Sequence, residues 1–246
     1  MEDILENERI DDLEYKNLKI IQNKDGFCFG IDSILLSDFA SEIKDESKVI
    51  DLGTGTGIIG ILLCAKTKLS KMIGVEIQKE VYEMAKRSIK LNKLEDKFQV
   101  INENIKNLQN KLEIGTFDAV VTNPPYKKEG TGITNENEKK LISRHEITAT
   151  LEDFIKASNK LLKDKGTLYM VHRPDRLADI IETLRKYKLE PKTIRFVHPS
   201  IGQKANLVLI KAIKNAKPFL KVEDPLYVYK ENGEYTYEIL KIYNKK

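Results

Sequence analysis

Four glycines, Gly53, Gly55, Gly57 and Gly60, fall within eight residues, directly after the apolar run Val49-Ile50-Asp51-Leu52 and directly before an apolar stretch that ends near Lys68. A glycine cluster between a strand and a helix lets the backbone turn tightly and approach a ligand closely. The helix that follows adds oriented N–H donors at its start. In an α/β sheet this corner lies at the carboxyl ends of the strands, where ligands bind. The rest of the chain continues the alternation. Strand-like runs are Met72 to Glu76, Phe98 to Ile101, Phe117 to Thr122, Thr167 to His172, Lys192 to Val197 and Asn206 to Ile213. Between them lie helix-like runs from Lys79 to Asn92, from Leu151 to Lys163 (stopped by Gly166), and from near Pro174 to before Pro191. Seven strands with helices between them predict an α/β, doubly wound sheet. The last two are joined by a short loop holding Pro199, Ser200 and Gly202, which requires them to run antiparallel. The tail from Pro218 alternates Tyr, Val and Ile around Glu231-Asn232-Gly233-Glu234 and predicts a C-terminal β-hairpin. The expected organisation is an N-terminal extension over 1–45, a main domain over 46–215 and a C-terminal extension over 216–246.

Composition bounds the function classes. At 246 residues and 41% apolar content the chain suits one well-buried domain. A net charge of +4 is too mild to argue for nucleic acid by itself. The charge is uneven, however. Glu2, Asp3, Glu6, Glu8, Asp11, Asp12 and Glu14 make the first 18 residues acidic, whereas Lys160 to Lys221 is rich in Lys and Arg. That basic segment reads equally as a face for phosphates or as a solvated surface. The two cysteines, Cys28 and Cys64, have apolar neighbours and no CxxC partner, which predicts a reduced, cytoplasmic protein. The acidic N-terminus is not a signal peptide, and no apolar run approaches the roughly 20 residues that span a bilayer. His145, His172 and His198 lack metal-ligand spacing, so no metal is expected. His198 reads as structural, and His145 as either an RNA contact or an exposed loop residue.

The glycine loop alone leaves the ligand open. Glu76 ends the second strand of the sheet, where a carboxylate accepts the hydroxyls of a ribose, with Ile77 beside it. Gly55-x-Gly57-x-x-Gly60 also satisfies the dinucleotide fingerprint, so a nicotinamide cofactor and S-adenosylmethionine both remain. A second motif separates them. Asn123-Pro124-Pro125-Tyr126 follows the fourth strand of the sheet. Two prolines cannot extend a central strand and fix a rigid turn instead. The turn aims the Asn123 side-chain carbonyl, the Pro124 backbone carbonyl and the Tyr126 ring. A planar amine is a poor nucleophile because its lone pair is delocalised, and two acceptors on its two hydrogens favour a geometry that exposes that pair. Placement then supplies much of the catalysis, and Tyr126 offers a stacking face for an extruded base.

With both motifs the chain resembles the class I methyltransferases that act on adenine N6 and amide nitrogen. Gly26-Phe27-Cys28-Phe29-Gly30-Ile31-Asp32-Ser33-Ile34-Leu35-Leu36, Arg144-His145-Glu146, Val197-His198-Pro199 and Lys204-Ala205-Asn206-Leu207-Val208-Leu209 are further similar to the bacterial tRNA(valine) adenine-N6-methyltransferases, which act on adenosine 37. The resemblance implies a Rossmann-like sheet, S-adenosylmethionine as cofactor and RNA as partner. No membrane partner is expected, and among oligomeric states, which the sequence leaves open, a monomer is favoured. The resemblance also implies that Asp51, Gly53, Gly55, Gly57, Glu76, Ile77 and Asn104 (or Glu103 beside it) meet the cofactor. Asn123, Pro124, Pro125 and Tyr126 would hold the target base, and Asp32 would position Asn123 or the cofactor. Lys127 and Lys128 suit a nucleic-acid backbone, and the long stretch from Lys127 to Thr150 is expected to order on RNA. Arg144 pairs either with a phosphate or with Glu146. The rivals are a protein glutamine-N5 methyltransferase, for which the 45 or so residues before the first strand of the sheet are too few to form the usual helical domain, and a guanine-N2 rRNA enzyme. DNA adenine enzymes usually carry a target-recognition insert that is not seen. From other classes, an NAD-dependent oxidoreductase lacks a catalytic Tyr-x-x-x-Lys, and a non-catalytic RNA-binding module has no use for the intact acceptors.

Overall fold

The computed structural model describes residues 4–24, 30–126 and 149–245. Two antiparallel strands come first, β1 (Glu8–Asp12) and β2 (Lys19–Asn23), followed by helix α1 (Ile31–Phe39). The main sheet is built from β3 (Lys48–Leu52), β4 (Lys71–Glu76), β5 (Phe98–Asn102), β6 (Phe117–Thr122), β7 (Leu162–His172), β8 (Leu189–His198) and β9 (Leu207–Lys214). Helices α2 (Ile58–Lys66), α3 (Lys79–Leu91), α4 (Leu151–Leu161) and α5 (Leu177–Lys186) connect them. Two short strands, β10 (Lys221–Val222) and β11 (Leu226–Tyr227), and a last helix, α6 (Tyr237–Ile242), complete the chain.

The strand order is β10-β8-β9-β7-β6-β3-β4-β5, with β11 also on β8. From β3 the chain winds outward through β4 to β5, then returns to the other side of β3 with β6 and continues outward through β7. The winding reverses between β3 and β6, and a doubly wound sheet opens its ligand crevice at the carboxyl ends of such a strand pair. The glycine loop and the Asn-Pro-Pro-Tyr turn are the two segments that leave β3 and β6 there. Of the seven long strands β9 alone runs antiparallel, against both β7 and β8, as the short 199–206 loop required.

Each face of the sheet is covered. Ile34, Leu35 and Leu36 of α1, Ile61 and Leu62 of α2, and Ile239 and Ile242 of α6 pack with Val49, Val121 and Val171 on one face. Phe154, Ile155 and Leu161 of α4, with Ile180 and Leu184 of α5, pack with Ile50, Leu52, Val120 and Met170 on the other. The alternate residues of each strand thus point to opposite cores, which is why these strands read as continuous apolar runs.

Four local expectations change. The acidic N-terminus carries β1 and β2, because Glu8 is clamped by the two terminal guanidinium nitrogens of Arg87 on α3 (2.5 and 2.6 Å) while Leu13, Ile20 and Ile21 are buried. Arg87 holds the Glu8 carboxyl below the usual range. Helix α4 stops at Leu161, and the next strand starts at Leu162, which is fully buried and pairs with Phe117 before the register shifts. Pro191 lies inside β8 at a register shift before Thr193, where its missing N–H costs no regular ladder bond. The C-terminal hairpin shrinks to one antiparallel bridge, Tyr229 to Tyr235, around the expected Glu231–Glu234 turn. The chain then forms α6, capped by Thr236, because Ile239, Ile242 and Tyr243 fall at helical spacing and bury against the core.

Candidate active site

The crevice is lined first by the glycine loop. Gly53, Gly55 and Gly57 take φ of 74°, 58° and 93°, conformations that only glycine adopts without strain. The Gly53 and Thr54 amides donate to Val75 O (3.0 and 2.9 Å), anchoring the loop to β4. Glu76, at the end of β4, fastens the other side, since one carboxylate oxygen accepts from Gly55 N (3.0 Å) and the other from Gln78 N (2.8 Å). Asn102 on β5 donates to the carbonyls of Glu76 and Ile77 (2.8 and 2.9 Å), so a residue not singled out in the sequence sets the path of the chain past Glu76. Ile77 stands exposed at this rim. Asn104 follows β5 on the same edge, but its side-chain oxygen caps the next helical turn by accepting from Lys106 N (2.9 Å). Glu103 is held below the usual carboxylate range by the Asn104 amide and Lys111.

Asp51 lies beneath the loop and is fully buried. One carboxylate oxygen accepts from Thr54 Oγ1 at 2.7 Å, and the other, Oδ1, has no hydrogen-bond partner. Burial, reinforced by the charge of Glu76, pushes its pKa up to about 7. An unpaired buried carboxylate oxygen is costly.

The second wall is the turn after β6. Asp32, in the first turn of α1, is buried and gathers this wall across 91 residues of sequence. Its Oδ2 accepts from Asn123 Nδ2 at 2.9 Å and from Tyr126 Oη at 2.8 Å. With its amide nitrogen held by Asp32, Asn123 turns its carbonyl oxygen away from Asp32. Burial and the Asp32 charge push the Tyr126 hydroxyl well above its ordinary value, so it stays protonated and donates. Thr122 Oγ1 donates to Leu52 O (2.8 Å) and ties the ends of β6 and β3 together.

His172 ends β7 next to this turn, with its ring centroid 5.0 Å from that of Tyr126. Its Nδ1 accepts from the Arg173 amide (2.8 Å), which places the ring hydrogen on Nε2, where no acceptor meets it. Burial lowers its pKa to about 4, so the ring is neutral near pH 7. Its lack of metal spacing set His172 aside in the sequence. The available signal was a polar residue closing the otherwise apolar Leu168-Tyr169-Met170-Val171 run.

The structure therefore brings Asp32, Asp51, Gly53, Gly55, Gly57, Glu76, Asn123 and Tyr126 to one crevice, with Ile77 and Asn104 on its rim. Residues 127–148, which include Lys127, Lys128, Arg144, His145 and most of the long loop, and residues 25–29, which include Cys28, lie outside the described residues. Among the described residues no three His, Cys, Asp or Glu side chains are grouped to hold a metal ion, and no helix is long and apolar enough to cross a membrane.

Comparison with known proteins gives the class of the chain. Residues 30–190 match the family model described as the methyltransferase small domain. The chain belongs to that family. A tRNA1(Val) (adenine(37)-N6)-methyltransferase of Porphyromonas gingivalis is 30% identical over 186 residues, covering 73% of this chain and 71% of the relative. The same-named protein of Haemophilus influenzae is 25% identical over 90% of this chain and 92% of its own. A crystal structure of a predicted O-methyltransferase from Agrobacterium tumefaciens superposes with a TM-score of 0.69 at 23% identity, covering 86% of this chain and 95% of that one. Trm5 of Methanocaldococcus jannaschii superposes with a TM-score of 0.62 at 16% identity, over 86% of this chain and 57% of that one.

The methyltransferase uses S-adenosylmethionine, and the crevice fits it on its own chemistry. The unpartnered Asp51 oxygen suits a cationic ammonium group. A Cβ placed at Gly55 would meet nothing within 4 Å, so the loop presents open backbone rather than packed side chains. Glu76 offers carboxylate oxygens at the end of the adjacent strand.

Proposed function

We infer that this methyltransferase transfers a methyl group to N6 of an adenine in tRNA, with adenosine 37 of a valine tRNA as the substrate suggested by its relatives' names. The observation that carries the reading is the Asp32 clamp on the Asn-Pro-Pro-Tyr turn, because it fixes which end of the Asn123 amide faces a substrate. Asn123 Oδ1 and the Pro124 carbonyl accept the two N6 hydrogens. Pro125 stiffens the turn, and Tyr126, braced by Asp32 and His172, presents its ring to the base. When bound, S-adenosylmethionine supplies an electrophilic methyl group on a positively charged sulfur. Asp51 and the Gly53–Gly57 backbone hold its methionine portion, Glu76 its ribose, and Ile77 and Asn104 line the adenine end. The N6 proton leaves to water after attack. Tyr126 is not the base, because its proton is committed to Asp32, and His172 is buried behind the ring. Holding the amine in line thus contributes most of the rate.

The direct test is mass spectrometry of nucleosides from tRNA incubated with the enzyme and S-adenosylmethionine. N6-methyladenosine is the expected product, and methylguanosine or methylated protein glutamine in its place would sink the assignment. Asp32→Asn is expected to lower kcat about ten- to hundredfold. It replaces charge-assisted hydrogen bonds worth about 1.5–3 kcal/mol with an amide that competes with Asn123. S-adenosylhomocysteine should still bind, and a parental kcat would remove Asp32 from its positioning role. Glu76→Ala is expected to weaken S-adenosylhomocysteine binding by about 1–3 kcal/mol, read by titration calorimetry. An unchanged affinity would mean that the ribose is held elsewhere.

A further inference from the structure

The carboxyl edge of the sheet continues beyond the catalytic corner, and its composition changes there. Moving outward from β6, the edge is formed by the end of β7, the entry to β9, the end of β8 and then β11. Register fixes their alignment. His172 pairs with Val208, Val197 with Leu207, and His198 with Tyr227. At about 4.8 Å per strand, the path from Tyr126 to Tyr227 runs roughly 19 Å. The segments 172–174, 198–206 and 226–230 that cap it contain Arg173, Lys204 and Lys230 and no Asp or Glu. Asp175, Asp224 and Glu231 lie just outside these segments, so the basic excess is confined to the caps themselves.

Lys230 is paired with Glu234 (3.3 Å), but the other two cations are placed for an external anion. Arg173 follows His172, and its charge is felt at the Tyr126 hydroxyl. Its side chain is 59% exposed, and its nearest carboxylate contact, with Asp175, is long at 3.9 Å. Lys204 is exposed and forms no hydrogen bond or ion pair among the described residues. Beyond Lys204, the His198 ring, held by Gln203 O at 2.7 Å, lies against Tyr227 with centroids 5.4 Å apart. Ile201 is 70% exposed at the tip of the same loop. Two cations between the Tyr126 ring and the His198–Tyr227 pair suit a single-stranded nucleic acid, which presents both phosphates and base faces.

Resting on the tRNA reading above, we propose that the RNA strand flanking the target adenine runs along this edge, across β7, β9 and β8. Arg173 and Lys204 meet its phosphates, and the His198–Tyr227 pair offers a face to a neighbouring base. The path leads directly from the base-holding turn, so it orients the strand without touching the reacting atoms.

The test compares Arg173→Ala/Lys204→Ala with Lys44→Ala/Lys71→Ala, a control pair exposed at the opposite edge, using tRNA and S-adenosylmethionine at graded salt. The edge variant is expected to raise KM for tRNA about tenfold near physiological salt and to flatten the log–log salt slope by about 1.4, two single-strand phosphates at about 0.7 each. Its kcat and its affinity for S-adenosylhomocysteine should stay parental, and the control pair should change nothing. A parental KM and slope in the edge variant, with the parent enzyme methylating tRNA, would overturn the path alone. No tRNA methylation by the parent enzyme would overturn the RNA reading and the path with it.

Discussion

Asn123→Ala is expected to lower kcat by about two to three orders of magnitude while leaving S-adenosylhomocysteine affinity within about twofold. That loss is typical when a preorganised hydrogen-bonding group aimed at the reacting atoms is removed. The Asn123 amide nitrogen is spent on Asp32, so its carbonyl oxygen is the end available to hold an amine hydrogen. Alanine deletes that acceptor and also leaves Asp32 with one fewer donor, so a stability loss of about 1–3 kcal/mol should accompany the rate loss. Asn123→Asp separates the two effects. It keeps an acceptor but sets a second carboxylate against Asp32, and like charges at that distance repel. Single-turnover rates with enzyme in excess over tRNA, alongside chemical denaturation, read both quantities. A variant that turns over at the parental rate would show that the turn does not hold the amine.

The switch point between β3 and β6 was legible in the sequence because both of its segments are stiff and local. Glycines in a strand-to-helix turn and two adjacent prolines after a strand allow few backbone paths. The antiparallel β9 was legible for a similar reason, since an eight-residue loop from Pro199 to Asn206 forbids a crossover. What depends on distant contacts was harder to read. Residues Glu8 to Asp12 look like an acidic tail until Arg87, 79 positions on, supplies the counter-charge that pins the strand. The tail from Tyr235 onward mixes tyrosines and isoleucines in a pattern that fits a strand or a helix, and only the surface left open beside α1 selects α6. Asp32 entered through resemblance alone. Nothing near it in sequence announces that two donors from the turn after β6 converge on one of its oxygens. His172 was discarded by spacing logic, which concerns metals and says nothing about a buried ring bracing another ring.

Gly60→Ala is expected to destabilise the protein by about 1–3 kcal/mol, the usual cost of overpacking, although intrinsic helix propensity alone favours alanine by about 1 kcal/mol. Gly60 sits inside α2, and a Cβ there would lie 2.3 and 2.4 Å from two ring carbons of Phe98. The ring is buried on β5 and is close to two other glycines, with Cβ positions at Gly74 and Gly57 lying 3.1 and 3.6 Å from it. It has no room to retreat, so α2 must move instead. The N-terminus of α2 is Gly57 of the cofactor loop, so the displacement should weaken S-adenosylhomocysteine binding as well as shift the denaturation midpoint. Phe98→Leu creates a void by itself but relieves the clash, so the double variant should be more stable than the sum of the two single losses predicts. Denaturation midpoints at constant m-value, measured with and without S-adenosylhomocysteine, test both parts. Additive losses would mean that α2 and β5 yield independently. Parental cofactor affinity in Gly60→Ala would mean that the loop keeps its shape without this packing. The expected outcome assigns the last glycine of the fingerprint to the contact between helix and sheet, and the loop's grip on its ligand follows from how closely α2 lies on Phe98.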